Sequence, residues 1–191
     1  MRLFMVRHGQ TTSNLNQVFA GQANAMLTEL GRQQALAIRP ILADFYFDKV
    51  YTSDLTRAIE TQKLALPGAV STPTPLIREL DEGDLIGMGF DEAKAIYGDG
   101  FWSSRDYTPF HGESAEMACA RLRQFLSMLE EDPCDNVIAF CHDGMMTCMM
   151  RLVLGVACDS QALESRNCSI QVFDFDGKRW RLVAWNYMGK L

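Results

Sequence analysis

The sequence predicts an α/β fold: a mostly parallel central sheet covered by helices on both faces, with a short loop and helix cap over the carboxyl ends of the strands. Three observations predict it. Short apolar runs recur at Leu3 to Val6, Lys49 to Thr52 and Asn136 to Cys141, each the length of a buried strand. Each run is followed by a helical pattern. Near the carboxyl end, Ile170 to Phe175 and Trp180 to Val183 flank Asp176-Gly177, which reads as a hairpin turn.

Element by element, Leu3 to Val6 is the first strand. Thr28 is a capping residue for a helix from about Glu29 to Leu42, with Leu30, Ala35 and Ile38 among its apolar positions. After the second strand, Ser53 is expected to cap a helix carrying Leu55, Ile59 and Leu64. Between Pro67 and Gly112 the patterning weakens into Gly, Asp and Pro residues, and this stretch is expected to form the cap, an insertion within a single domain spanning 1–191. Ser114 opens a longer helix, whose Ala118, Leu122, Phe125, Leu126 and Leu129 make an apolar stripe at helical spacing. A last helix follows Gly144 and stops at Gly155. In such a sheet ligands collect beyond the carboxyl ends of the strands, where Arg7-His8, Thr52-Ser53 and His142 all fall.

Composition narrows the function. A net charge of −6 and scattered Lys and Arg argue against a nucleic-acid partner, because that partner selects a basic face. No apolar run is long enough for a signal peptide or a membrane helix, so the expectation is a cytoplasmic protein with no membrane partner. The six cysteines, Cys119, Cys134, Cys141, Cys148, Cys158 and Cys168, match no zinc or disulfide spacing and read as reduced, mostly buried small hydrophobes. With three histidines and no His-Glu-x-x-His pattern, neither a metal nor another cofactor is expected.

The chemistry-bearing stretch is Arg7-His8-Gly9-Gln10-Thr11, at the expected end of the first strand. A neutral imidazole is a nucleophile near pH 7, and a neighbouring guanidinium clamps an oxyanion in a fork of donors. Gly9 lets a ligand approach the main chain. Arg57, early in its helix, is placed to reach a phosphate beside Arg7. His142 ends the strand Val137 to Cys141, and Glu79 stands in the acidic loop Arg78-Glu79-Leu80-Asp81-Glu82-Gly83.

Together these segments resemble the histidine phosphatase superfamily, the phosphoglycerate mutase-like group, over nearly the whole chain. The matching pieces are Arg7 to Thr11 with Asn14, Gly21-Gln22, Leu27 to Ala35, Ser53 to Thr61, Glu79 with Gly83 and Gly87, Gly112-Glu113-Ser114, and His142 after an apolar strand. The resemblance implies that His8 attacks phosphorus to give a phosphohistidine while Arg7, Arg57 and His142 hold the equatorial oxygens. It implies different protonation of the two histidines, with His142 useful as a proton donor. Asn14, Gly21 and Gln22 join the substrate-binding set, their amides orienting the phosphate. It also implies a carboxylic acid at Glu79 that protonates the leaving alkoxide and later takes a proton from water.

Two positions depart from the family pattern. Glu82 stands where relatives usually carry an apolar or aromatic residue, which makes it a competitor for the acid. Asp143 stands where Gly is common, and orienting His142, serving as an auxiliary acid, or simply charging a helix N-terminus are all open to it. The short interval between Gly87 and Gly112 resembles the small phosphatases, including those similar to α-ribazole phosphatase. The expected activity is therefore metal-independent hydrolysis of a small-molecule phosphate ester. The alternatives are a cofactor-dependent phosphoglycerate mutase and a non-catalytic protein that binds phosphorylated ligands. Phe90, Tyr97, Phe101, Trp102, Tyr107 and Phe110 make the cap aromatic, as its own core or as a wall for the leaving group. A homodimer is left open.

Overall fold

Continuous apolar runs, rather than alternating ones, are what a strand needs when both of its faces are covered. In the computed structural model, which describes residues 1–155 and 163–187, the first strand β1 (Arg2–Arg7) has Leu3, Phe4, Met5 and Val6 fully buried. It pairs in parallel with β4 (Asn136–Cys141) and antiparallel with β5 (Ile170–Phe175). Outward from these lie β2 (Lys49–Ser53), β3 (Thr72–Thr74) and β6 (Trp180–Tyr187), giving a mostly parallel six-stranded sheet in the order β3-β2-β4-β1-β5-β6.

Alternate residues of the same strand feed two cores. Leu3, Met5, Val137 and Ala139 pack under α7 (Ala115–Glu131) and α8 (Asp143–Leu154). Phe4, Val6, Ile138 and Phe140 pack under α2 (Glu29–Ala37), α3 (Arg39–Leu42) and α4 (Thr56–Ala65). The predicted stripe of α7 is buried throughout. The Ser114 side chain accepts from the Met117 N–H, and α8 ends on Gly155 in the left-handed region at φ 68.

Three elements differ from expectation. The helix after Thr28 is divided at Ile38, because Pro40 has no N–H to donate to Leu36 and its ring crowds that carbonyl. The helix after β2 starts at Thr56, capped by extended Leu55, while the Ser53 hydroxyl accepts from the Leu55 N–H at 3.3 Å and shapes the turn before it. Strand β3 was not expected, since it contains Pro73; as an edge strand it tolerates the missing donor. Leu30, expected among the apolar positions of its helix, is exposed.

Between β3 and α7 the chain forms α5 (Phe90–Tyr97), α6 (Gly100–Ser104) and single turns at Pro75–Ile77, Gly83–Leu85 and Thr108–Phe110. A short helix α1 (Thr12–Asn16) follows β1. Among the described residues, Cys141, Cys148 and Cys168 are buried free thiols and Cys119 and Cys134 half-buried ones; Cys158 lies outside the described residues. Among the same residues no helix is long and apolar enough to cross a membrane, and no group of three His, Cys, Asp or Glu side chains is arranged for a metal ion.

Candidate active site

The parallel register sets Arg7 opposite Cys141, so His8 and His142, the next residue of each chain segment, emerge side by side with ring centroids 5.2 Å apart. The loop after β1 is locked by close backbone approach. A Cβ on Gly9 would lie 2.4 Å from the Gly31 carbonyl oxygen, and one on Gly31 2.1 Å from that of Gln10. What comes close to Gly9 is thus the start of α2. The Gly9 N–H donates to Thr61 Oγ1 of α4 at 3.0 Å, tying the loop to the helix that carries Arg57.

The partners of the two imidazoles fix their tautomers. His8 Nδ1 lies 2.7 Å from the Gly9 carbonyl, which can only accept, so Nδ1 carries the proton and Nε2 keeps the lone pair. His142 Nδ1 receives the Arg57 Nε–H at 3.3 Å, so its own proton sits on Nε2, a buried atom with no hydrogen-bond partner among the described residues. Burial, followed by the charge of Arg57, holds both rings well below the ordinary imidazole range, with Arg7 adding to the effect. Both are therefore neutral at pH 7. The expected difference in protonation between them is instead a difference in tautomer.

Arg57 is almost completely buried at 1% exposure. Its Nη1 donates to the Ala23 carbonyl at 2.8 Å and its Nη2 to the Gly21 carbonyl at 2.7 Å, so the guanidinium is aimed by three contacts. Arg7 donates to the Ser165 carbonyl and lies 3.9 Å from Asp143 Oδ1, while its Nε is buried without a partner among the described residues. Asn167 donates to the His8 carbonyl at 3.0 Å.

Asp143, at the first position of α8, is bound by Arg105 from the end of α6 and by the Ser165 hydroxyl at 2.6 Å. Burial pushes its carboxyl up, but Arg105 and Arg7 outweigh that and hold it below the usual carboxylate range. It is therefore an anionic brace for two arginines. His142 is not among its hydrogen-bond partners in the described residues. Arg105 had no signal in the sequence, since it lies in the weakly patterned stretch and adopts a left-handed backbone at φ 51.

Both candidate acids are present. The oxygens of Glu79 accept the Leu80 N–H at 2.9 Å and the Gly144 N–H at 3.3 Å, seating it on the N-terminus of α8. A Cβ on residue 144 would lie 2.1 Å from Glu79 Oε1 and 2.5 Å from Leu80 Cδ1, so a side chain there would displace the tip of the glutamate. Glu82 Oε2 accepts the Gly21 N–H at 2.6 Å. Burial and then the neighbouring Glu79 push its carboxyl up to about 8.

These residues surround one cavity of about 220 Å³, lined by Arg7, His8, Asn14, Gly21, Arg57, Glu79, Glu82, Arg105 and Asp143 together with an aromatic wall. In that wall Phe19, Phe90 and Trp102 stack edge to face, with centroids 4.5 to 5.1 Å apart, beside Tyr107. Tyr97, itself exposed, packs on Phe110, while Phe101 bridges Phe110 to Phe19 and Tyr107 behind the wall. Two expected site residues do not line the cavity. His142 is fully buried behind His8 and Arg57. Gln22 spends its amide on the Glu79 carbonyl at 3.1 Å and on Arg78, bracing the acidic loop. Asn14 lines the cavity while its Oδ1 accepts the Thr11 N–H and completes the capping box of α1.

An adenosylcobalamin/alpha-ribazole phosphatase of Salmonella typhimurium is 30% identical over 165 residues, which cover 81% of this chain and 80% of that protein. A 2,3-bisphosphoglycerate-dependent phosphoglycerate mutase of Rhizobium etli is 40% identical over 131 residues, 63% of this chain and 62% of that one. The structure of a mycobacterial glucosyl-3-phosphoglycerate phosphatase with VO3 superposes at a TM-score of 0.88 and 29% identity, covering 97% of this chain and 98% of that one. The sequence profile of the histidine phosphatase superfamily, branch 1, matches residues 3–188, and the chain belongs to that family.

Proposed function

We propose that this protein hydrolyses a small phosphorylated metabolite as a metal-independent phosphomonoesterase, through a phosphohistidine on His8. The observation that carries the reading is the opposed pair of tautomers: a lone pair on Nε2 of His8, which lines the cavity with Arg7 and Arg57, and a buried N–H on Nε2 of His142, whose ring centroid lies 5.2 Å from that of His8. A phosphoryl group set against His8 meets the nucleophile on one side. The Arg7 and Arg57 guanidinium groups, which line the same cavity, neutralise its spreading equatorial charge, the main demand of phosphoryl transfer, while His142 holds Arg57 from behind. Burial keeps both imidazoles neutral, so the lone pair is available without a separate base.

In the first step the His8 Nε2 to phosphorus bond forms as the bond from phosphorus to the ester oxygen breaks, and that oxygen takes a proton from the Glu79 and Glu82 pair. In the second, water attacks phosphorus, its proton returns to the carboxylate, and the nitrogen to phosphorus bond breaks. The aromatic wall and the modest volume suit a compact organic leaving group. The names of the relatives, phosphatases that act on small esters, support the same reading.

p-Nitrophenyl phosphate is expected to be hydrolysed in the presence of a chelator, with kcat falling by at least about 10³-fold in His8→Ala. Unchanged turnover in that variant overturns the proposal. The mutase reading is favoured by the 40% identical stretch shared with the Rhizobium etli protein. Phosphorus nuclear magnetic resonance on 3-phosphoglycerate separates the two, since hydrolysis gives inorganic phosphate or no change, whereas a mutase interconverts the isomers.

A further inference from the structure

Arg7 and Arg57 both line the cavity beside His8, and they are aimed in different ways. Arg57 commits all three of its nitrogens, to His142, Ala23 and Gly21. The Arg7 side chain makes one hydrogen bond among the described residues, from Nη1 to the Ser165 carbonyl, and the same Nη1 lies 3.9 Å from Asp143 Oδ1. A planar guanidinium fastened at one end depends on whatever holds that fastening still.

The fastening belongs to residues 164–169, the stretch that leads into β5. On one side β6 anchors it: Trp185 Nε1 and Asn186 Nδ2 each donate to the Glu164 carbonyl at 2.8 Å, and Asn186 Oδ1 accepts the Arg166 N–H at 3.2 Å. On the other side the buried Ser165 hydroxyl donates to Asp143 Oδ1 at 2.6 Å. The same stretch grips the main chain of the catalytic loop. The Ser169 carbonyl accepts the Arg7 N–H at 3.1 Å, the Cys168 N–H donates to the Arg7 carbonyl at 3.1 Å, and Asn167 donates to that of His8 at 3.0 Å.

Resting on the phosphatase reading above, we propose that Asp143 and Ser165 are positioning residues that set the Arg7 guanidinium against the equatorial oxygens of the phosphoryl group. Asp143 acts directly through its charge and indirectly by holding Ser165, whose carbonyl receives Arg7. Arg105, at the end of α6, takes the other carboxylate oxygen and pins it. With Oδ1 on Ser165 and Oδ2 on Arg105, both oxygens are engaged by protein, which is the arrangement of a brace and not of a proton donor to the leaving group. The start of α8 thus supports both arginines from consecutive residues, His142 behind Arg57 and Asp143 behind Arg7.

The test measures kcat/KM on p-nitrophenyl phosphate and on simple alkyl phosphates, with competitive inhibition by orthovanadate, which takes up the five-coordinate geometry of the transferring group. Asp143→Asn is expected to lower kcat/KM by about 10²-fold for aryl and alkyl esters alike and to raise the vanadate Ki in parallel, because a clamp misplaced by about 1 Å costs that much. Ser165→Ala leaves the Asp143 to Arg105 pair intact and should show the same pattern at about tenfold. In an Arg7→Ala background either substitution should cost less than about threefold further, since both act through Arg7. The inference is overturned if the loss is concentrated on alkyl esters, if the vanadate Ki stays at the wild-type value, or if the full loss persists without Arg7. Failure of the phosphatase reading looks different, because His8→Ala would then match the wild type on every ester.

Discussion

A single proton position on each of two imidazoles decides what they can do. The Gly9 carbonyl and the Arg57 Nε–H are each one-way partners, and they leave His8 as acceptor and His142 as donor where the rings approach. Neutrality at both rings has a measurable consequence. Their folded values lie well below 6.5, so as pH falls through 6.5 the unfolded chain takes up protons that the folded chain refuses, and stability declines. Urea unfolding is expected to give a lower midpoint at pH 5 than at pH 7.5, with a shallower decline in His8→Asn. Glu82 has the opposite sign. Its carboxyl holds a proton in the folded state up to about 8, against 4.5 in the unfolded chain, so it removes stability as pH rises between those values. The melting temperature of Glu82→Gln should therefore gain on the wild type between pH 5 and pH 9; a constant difference contradicts the assignment.

The elements place these residues by their ends. The carboxyl ends of β1 and β4 deliver the histidines, and the first turn of α8 receives Glu79 in its present position against a residue 144 that lacks a side chain. Gly144→Ala should cost about 1–3 kcal/mol in urea unfolding and lower kcat for alkyl and aryl esters alike, as overpacking pushes the acidic loop away. At α2, whose first turn packs on the loop after β1, Thr28→Ala should cost about 1 kcal/mol by removing the acceptor for the Gly31 N–H at 3.0 Å. Elements of this kind were legible in the sequence, because apolar runs, caps and the Gly155 stop are local signals. The divided helix at Ile38 was carried by Pro40 and still escaped, and β3 escaped because its three residues are exposed or edge-bound and include a proline.

Across the whole molecule, the site is a meeting of distant segments that periodicity cannot register. Arg7, His8, Arg57 and His142 stood out because each lies at or next to the end of a strand or the start of a helix, whereas Glu79 stands in a loop and stood out only through the family resemblance. Arg105, Ser165 and Asn167 were not, because their roles depend on tertiary packing around Asp143 and the first loop. Gln22 was read as a phosphate donor, yet its amide is consumed by the acidic loop. The Arg105 to Asp143 pair joins the segment after α6 to the end of the sheet, and removing one partner strands a buried charge. Arg105→Met should cost about 3 kcal/mol by urea unfolding, and pairing it with Asp143→Asn should recover part of that loss. The account as a whole rests on a covalent bond to one nitrogen. Rapid quenching of enzyme turning over a phosphate ester, followed by peptide mapping at neutral to alkaline pH to preserve the nitrogen to phosphorus bond, should find the phosphoryl group on His8 Nε2. A phosphoryl group on another residue, or none while His8→Ala still turns over, would contradict it.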